Sequence, residues 1–195
     1  MRKVLILSLA LCLAAAVGCS KPPQQDIDAA NTSLEAARTA GAQDYAPESL
    51  QRAEQAKQEL DAELQAQQDK FFKSYSKAKE LAASAKTAAE TAAQDANTGK
   101  ETMRQEVGTA IQTARTDLAG VRDQLAKAPR GKGTAADLAT LSADLDGVDA
   151  SLNEAQAAYD GQRYAEAKTK VEAANNTLST VKNDIAGAQA AKAGK

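Results

Sequence analysis

The chain contains two cysteines, and one of them stands where covalent chemistry is expected. Cys19 follows a basic start at residues 1–3, an apolar run and then Gly18. A basic segment, an apolar stretch and a small residue are the parts of a secretory signal peptide with its cleavage site. The apolar run is shorter than the roughly 20 residues of a membrane-spanning helix. We therefore predict a signal peptide over residues 1–18, which removes Cys12 and leaves Cys19 as the first mature residue.

The segment Ala16-Val17-Gly18-Cys19 resembles the lipobox of bacterial lipoproteins. The resemblance implies diacylglycerol transfer to the Cys19 sulfur, cleavage after Gly18 and acylation of the new N-terminus. Several acyl chains on one residue anchor a protein stably, whereas one chain binds only marginally. Ser20 stands where Asp favours inner-membrane retention in such lipoproteins, which implies the outer membrane, facing the periplasm. The alternative is an ordinary secretory signal in which Cys19 is incidental.

The rest of the chain offers little for catalysis. Histidine is absent, and with it the commonest general base and zinc ligand. After removal of residues 1–18 and lipidation of Cys19, no free thiol remains. Asp144, Asp146 and Asp149 are acidic neighbours but lack the 12-residue oxygen-rich loop of a calcium site. We predict a non-catalytic protein with no cofactor, no metal and no small-molecule substrate.

The net charge of the chain bears on which classes of molecule it can bind. The chain carries 24 basic and 26 acidic residues, a formal net charge of -2. Because the predicted signal peptide carries two of the basic residues and no acid, its removal makes the chain more acidic. Bulk charge therefore gives no attraction to nucleic acid. The expected partners are the membrane, through the lipid anchor, and a protein partner or a second copy of the chain.

Alanine-rich periodic segments predict an all-α fold. Alanine has the highest helix propensity, but its burial contributes much less free energy than that of leucine, so we expect long helices around a thin core. Helices are predicted over about 26–40, 47–69, 74–126, 138–160 and 164–185, with a frayed end over 186–195. Gly41 to Ala46 is predicted to be a turn, and Asp160-Gly161 another.

The third helix shows the strongest pattern. Its apolar positions recur in steps of four, three and four residues, so that Leu81, Ala92, Met103, Ala114 and Leu125 are separated by eleven. Eleven residues in three turns nearly match a straight helix. Because the phase is unbroken at Gly99, we predict one continuous helix, although Asn97-Thr98-Gly99 is its weakest point.

These elements predict an elongated antiparallel bundle of about four to five helices with one long central helix. Tyr75-Ser76-Lys77-Ala78-Lys79 matches Tyr164-Ala165-Glu166-Ala167-Lys168, which indicates two helical hairpins in weak repeat; convergent low-complexity sequence is the alternative. The predicted boundaries are a signal peptide over 1–18, a lipidated spacer over 19–25, a helical domain over 26–128 and a helical hairpin with a frayed tail over 129–195.

A second resemblance concerns the body of the chain. The segment over residues 45–53, followed by Tyr75-x-x-Ala78 and the alanine-rich stretch 81–93, resembles an uncharacterised family of alanine-rich helical domains in bacterial envelope lipoproteins. The likeness covers roughly residues 27–96. It implies a periplasmic all-helical module without assigned catalysis.

For several aromatic and basic residues, the sequence allows both a structural role and a role in binding. Phe71 and Phe72 are predicted to pack the top of a helical hairpin, with contact to a partner as the alternative; Tyr159 and Tyr164 allow the same two interpretations. Lys127, Arg130 and Lys132 are expected to be a solvated loop rather than a phosphate-headgroup site.

The function expected from these features is that of a lipid-anchored scaffold, spacer or partner-binding module of the bacterial envelope. The first alternative is an amphipathic protein whose helices open and lie on the membrane surface. An enzyme using paired carboxylates is the second alternative.

Overall fold

The structure is a computed structural model that describes residues 21–128 and 135–193. Cys19, Ser20 and the predicted signal peptide lie outside these residues. The described chain is helical without strands, and its helices pack together as bundles, which confirms the all-α prediction. Six helices are present in this part of the chain: α1 (Gln24–Thr39), α2 (Ala42–Tyr45), α3 (Pro47–Gln68), α4 (Ser76–Ala126), α5 (Ala135–Asp160) and α6 (Tyr164–Ala193).

The short helix α2 accounts for the difference from the four to five helices expected. Gly41 ends α1 as predicted, and it adopts a left-handed backbone with φ of 83° that favours glycine. The chain then forms one helical turn over residues 42–45, where a simple turn was predicted. Pro47 opens α3 at a position where the missing N–H has no intrahelical partner.

The long helix α4 is continuous through Gly99, as the unbroken phase of its apolar positions predicted. Every predicted position of its apolar seam is buried or half-buried; these are residues 81, 85, 88, 92, 96, 99, 103, 107, 110, 111, 114, 118, 121 and 125. The eleven-residue spacing therefore keeps one face of a single helix turned towards packing partners over its whole length.

The chain divides into two compact units, one up to Asn97 and one from Thr98. The division lies inside α4, whereas the sequence-based boundary was placed at residues 128/129, where proline and glycine interrupt the helix. The difference has a physical reason. Each part of α4 belongs to the unit whose helices it packs against, and a continuous helix can therefore contribute to two units without any break in its backbone.

In the first unit, α1, α2, α3 and the first part of α4 surround a core of small side chains. Its larger cluster joins Leu34 and Leu50 to alanines of all four segments, namely Ala37, Ala42, Ala46, Ala53, Ala89, Ala92 and Ala96. A second cluster at the start of α1 joins Ile27 and Leu60 to Tyr75, Ala78 and Ala82. Because alanine is short, these helix backbones approach closely and leave little buried apolar area per residue.

In the second unit, the rest of α4 packs with α5 and α6 around larger aliphatic side chains. The fully or nearly fully buried members include Val107, Ile111, Leu118, Leu145, Leu152, Val171, Leu178 and Ile185. The expectation of a thin core therefore holds for the first unit, whereas this unit buries a conventional apolar interior.

The turn between α5 and α6 is set by hydrogen bonds at the end of α5. The backbone N–H of Arg163 donates to the carbonyl of Ala158 at 2.9 Å, and that of Gln162 donates to Tyr159 at 2.9 Å. This pair of bonds is the Schellman arrangement, with Gln162 in the left-handed position at φ 59°. The sequence predicted a tight turn at Asp160-Gly161, but the positive φ falls on Gln162, the next residue.

The last helix extends further than expected. α6 continues to Ala193, so that the backbone remains helical beyond residue 186, where fraying was predicted. Among the described helices, none combines the length and apolar character needed to cross a lipid bilayer.

Candidate functional site

The most exposed large apolar side chains of the described structure lie in the connection between α3 and α4. We call residues 69–75 the aromatic loop. Phe71 is 92% exposed and Phe72 is 77% exposed, and their rings meet edge to face with centroids 5.0 Å apart. The prediction that they pack the top of a hairpin is wrong.

Tyr75, at the end of the loop, is the aromatic residue of this connection that packs into the core. It is 9% exposed and packs with Ile27, Leu60, Ala78 and Ala82. The two phenylalanines are not members of this cluster. They contact each other and the solvent.

A buried glutamine holds the loop in this conformation. Gln67 is 4% exposed. Its side-chain amide donates to Glu63 Oε1 at 2.6 Å, and its carbonyl oxygen accepts from the backbone N–H of Ser74 at 3.1 Å. The residue therefore joins both ends of the loop and satisfies its own polar atoms while buried, as buried polar groups require.

Glu63 extends this connection to α4. Its carboxylate lies 3.2 Å from Lys77 Nζ, so that the bonded chain runs from α4 through Glu63 and Gln67 to Ser74. The hydrogen bond from Gln67, and then that from Lys77, lowers the pKa of the Glu63 carboxyl below its ordinary value. The carboxylate therefore stays charged at neutral pH and holds the base of the loop.

Several lysines lie in or near the aromatic loop. Lys70 and Lys73 flank Phe71-Phe72 directly and are exposed. A shallow open depression beside them is lined by Lys21, Lys73 and Lys79 together with Pro23, Ser74, Tyr75 and Ser76. In the described chain, these lysines take part in no ion pair. Lys70 is close enough to Glu63 for its charge to lower the pKa of the Glu63 carboxyl, but no carboxylate forms a direct ion pair with the four lysines in the described residues.

The depression also contains the first described residues of the chain. Lys21 and Pro23 belong to the predicted spacer that follows Cys19, and they lie against the same pocket as Lys73. The opposite end of the α1–α3 hairpin is the turn at residues 40–46. The aromatic loop and the start of the described chain therefore share one end of the first unit.

A polar cluster elsewhere in this unit has a structural role. Ser49 Oγ donates to Asp95 Oδ2 at 2.5 Å and accepts from Arg52 at 2.7 Å. Ser49 is 6% exposed. Because its hydroxyl is bonded on both sides and the chain has no histidine to act as its base, this cluster clamps α3 to α4 rather than activating a nucleophile.

The tyrosines predicted to pack a hairpin top do so in the second unit. Tyr164 is 7% exposed, and Tyr159 packs against the core cluster. Their ring centroids are 5.3 Å apart. Tyr75 and Tyr164, which align in the predicted weak repeat, are thus both buried at the start of a helix, and the aligned Ala78 and Ala167 are both fully buried.

The acidic and basic residues singled out from the sequence do not form a common site in the described residues. Asp146 pairs with Arg122 at 2.9 Å on the surface, and among the described residues no group of acidic or cysteine side chains is arranged to hold a metal ion. Lys127 is exposed, whereas Arg130 and Lys132, like Cys19, lie outside the described residues.

Sequence reasoning found the phenylalanines but missed the residues that hold them. Gln67 resembles its exposed neighbours Gln65 and Gln68, and only its contacts distinguish it. The proximity of Lys21 to Lys73 joins residues far apart in the chain. An available signal was the sequence Lys70-Phe71-Phe72-Lys73 itself, in which two adjacent aromatic residues are flanked by lysines outside the helical periodicity.

Comparison with known proteins gives no relative from which a function can be transferred. The chain matches no protein-family model. No significant match is found among curated proteins or among solved structures. The functional argument therefore rests on the residues and geometry described above.

Proposed function

We propose that this chain is a membrane-anchored, non-catalytic lipoprotein of the bacterial envelope that acts in the periplasm as a scaffold, spacer or partner-binding module. The observation that carries the proposal is Cys19, placed directly after Gly18 at the end of a basic-then-apolar N-terminal segment. Acylation of its sulfur and amino group supplies the anchor, and the helices that follow form the body.

The packing of the body supports a structural role. The apolar faces of α4, α5 and α6 are buried against one another in the second unit. The polar clusters that do occur, such as Ser49 with Arg52 and Asp95, connect helices. A rigid helical body of this kind is suited to holding a surface at a fixed place, and its bonded side chains are not available for proton or group transfer.

The alternative, in which the helices open on a membrane, is less well supported. Opening would expose the buried aliphatic residues of the second unit, including Leu152 and Leu178. Helices that bind a membrane interface usually carry aromatic residues on the apolar face, whereas the described phenylalanines lie in a loop. We therefore favour a body that stays folded beside the membrane.

Lipidation is tested by metabolic labelling in a Gram-negative host. The full chain is expected to incorporate labelled palmitate and to accumulate as a precursor when globomycin inhibits lipoprotein signal peptidase. Cys19→Ser is expected to abolish both effects, and Cys12→Ser, within the predicted signal peptide, serves as the matched control and retains both. Unlabelled protein with unchanged processing would refute the anchor.

The role in the envelope is tested separately. Deletion of the gene is expected to weaken the envelope against detergent and osmotic stress, and the wild-type gene but not Cys19→Ser is expected to restore resistance. Crosslinking in whole cells, followed by mass spectrometry, then identifies the protein held by the body. An intact envelope together with no reproducible crosslinked partner would count against a scaffold.

A further inference from the structure

We propose that the aromatic loop docks on the anionic phospholipid surface of the bilayer to which the chain is anchored, with Phe71 and Phe72 inserted at the level of the headgroups. The inference rests on the proposed lipid anchor for its geometry. It adds a second membrane contact, which fixes the orientation of the first unit at the bilayer.

The first argument is the apolar area that the loop leaves in water. Phe71 and Phe72 are 92% and 77% exposed, although every other large apolar side chain within residues 21–97 is buried or half-buried. Aromatic rings are favoured at the membrane interface. Insertion of both rings between headgroups removes from water the area that the protein core does not cover.

The second argument is charge complementarity. Lys70 and Lys73 flank the rings, and Lys21 and Lys79 lie beside the adjoining depression. Glu63 pairs with Lys77, and Asp69 and Glu80 adjoin Lys70 and Lys79 in sequence. The lysines outnumber these acids, so the local charge is positive although the whole chain is acidic. Lysine ammonium and serine hydroxyl groups donate hydrogen bonds to phosphate oxygens, and basic residues near an anionic membrane surface are attracted to it.

The third argument is position. The described chain begins at Lys21, two residues after Cys19, and two residues span at most about 7 Å. Acyl chains attached at Cys19 would therefore keep Lys21 close to the bilayer. Since Lys21 and Lys73 line the same depression, the loop would be held at the same surface without any rearrangement of the helices.

The fourth argument is that the loop is already organised. Gln67 and Ser74 hold its two ends, and Tyr75 is fixed in the core. A preorganised contact loses less conformational entropy when it binds. The rings are thus presented in the exposed position and need not be extracted from the core.

The absence of tryptophan from the chain allows a direct test. Phe72→Trp creates a single fluorescent probe in the loop, and Gln43→Trp creates a matched probe at an exposed site in the turn at the opposite end of the hairpin. Each full-length protein is purified in detergent and reconstituted into vesicles of phosphatidylcholine, with or without phosphatidylglycerol.

In vesicles containing phosphatidylglycerol, the tryptophan at position 72 is expected to emit at shorter wavelength and to be quenched severalfold more by brominated acyl chains than the tryptophan at position 43. In the Phe72→Trp background, Lys70→Gln with Lys73→Gln is expected to lower the docking equilibrium constant by about fivefold per lysine. Lys57→Gln with Lys86→Gln, which removes two lysines paired with Asp61 and Glu90, is the matched charge control and is expected to leave docking unchanged.

The outcomes separate this inference from the proposed function. Protein that floats with both kinds of vesicle while the tryptophan at position 72 stays as solvent-exposed as that at position 43 is anchored but not docked, which overturns the inference; a protein partner would then be the occupant to seek. Protein that fails to float with pure phosphatidylcholine lacks the anchor. If it still binds phosphatidylglycerol vesicles through Lys70 and Lys73, the docking surface stands without the anchor.

Discussion

The side-chain carbonyl of Gln67 lies 3.1 Å from the backbone nitrogen of Ser74 and accepts its hydrogen bond across the aromatic loop. The same side chain donates to Glu63. One buried amide thus closes the connection between α3 and α4, and it explains how a loop with two exposed phenylalanines keeps a defined conformation.

Replacement of this residue is expected to weaken the fold. Gln67→Ala removes both hydrogen bonds and leaves the Ser74 N–H without its partner, so we expect the free energy of unfolding to fall by roughly 1–3 kcal/mol. Urea denaturation followed by circular dichroism measures the loss. Gln68→Ala, at the exposed neighbouring position, is the control and should change stability by less than about 0.5 kcal/mol; equal losses for the two variants would contradict the role of Gln67.

Glu101 should titrate far below an ordinary glutamate. Hydrogen bonds from Arg104, and next from Gln105, lower its pKa from 4.5 to about 2, with Arg104 nitrogens at 2.7 and 2.8 Å. Since the folded-state pKa is depressed, its contribution to stability is present above pH 4.5 and is lost as pH falls towards 2.

Carbon-detected NMR of the carboxyl group follows this titration. Arg104→Gln is expected to return the pKa of Glu101 towards 4.5. It should also remove the loss of folding stability that protonation of Glu101 causes at low pH. Arg122→Gln, which breaks a pair with Asp146 instead, should leave Glu101 unaffected. A midpoint near 4.5 in the wild-type chain would show that the pair with Arg104 does not persist in solution.

Two glycines of α4 should respond differently to alanine. A Cβ on Gly120 would meet nothing within 4 Å, whereas one on Gly108 would lie 3.0 Å from the Tyr159 hydroxyl oxygen. Gly120→Ala is therefore expected to stabilise the helix by about 0.5–1 kcal/mol, and Gly108→Ala to give a smaller gain or a loss.

Thermal unfolding of a double variant tests whether the contact with the Tyr159 hydroxyl makes Gly108→Ala less favourable. Tyr159→Phe removes the hydroxyl group, so that Gly108→Ala should be more favourable in that background than in the wild-type chain. Equal effects of Gly108→Ala in both backgrounds would rule out the hydroxyl contact as the reason.

The left-handed residue between α5 and α6 offers a stabilising substitution. Gln162 has φ of 59°, a conformation that costs a residue with a Cβ roughly 1 kcal/mol relative to glycine. Its amide oxygen lies 3.5 Å from Lys100 Nζ in an exposed contact, so little is lost with the side chain. Gln162→Gly is expected to raise the free energy of unfolding by up to about 1 kcal/mol in urea denaturation, while Gln156→Gly, inside α5, should lower it.

The sequence determined the helices because their signals are local. Proline at position 47, glycine at position 41 and the eleven-residue spacing in α4 act through neighbouring residues, and they predicted the ends and the continuity that the structure shows. The lipobox resemblance at Cys19 is equally local and remains a prediction, because the described residues begin at Lys21.

Tertiary structure alone decided what each helix face covers. Phe71 and Phe72 are as apolar as any core residue, yet Tyr75 is buried in the core cluster and they are exposed. Gln67 is buried while the similar Gln68 is exposed, and Lys21 and Lys73 line one depression only in the folded first unit. Such outcomes depend on competition for one limited core surface among residues distant in the chain, and local propensity contains no information about that competition.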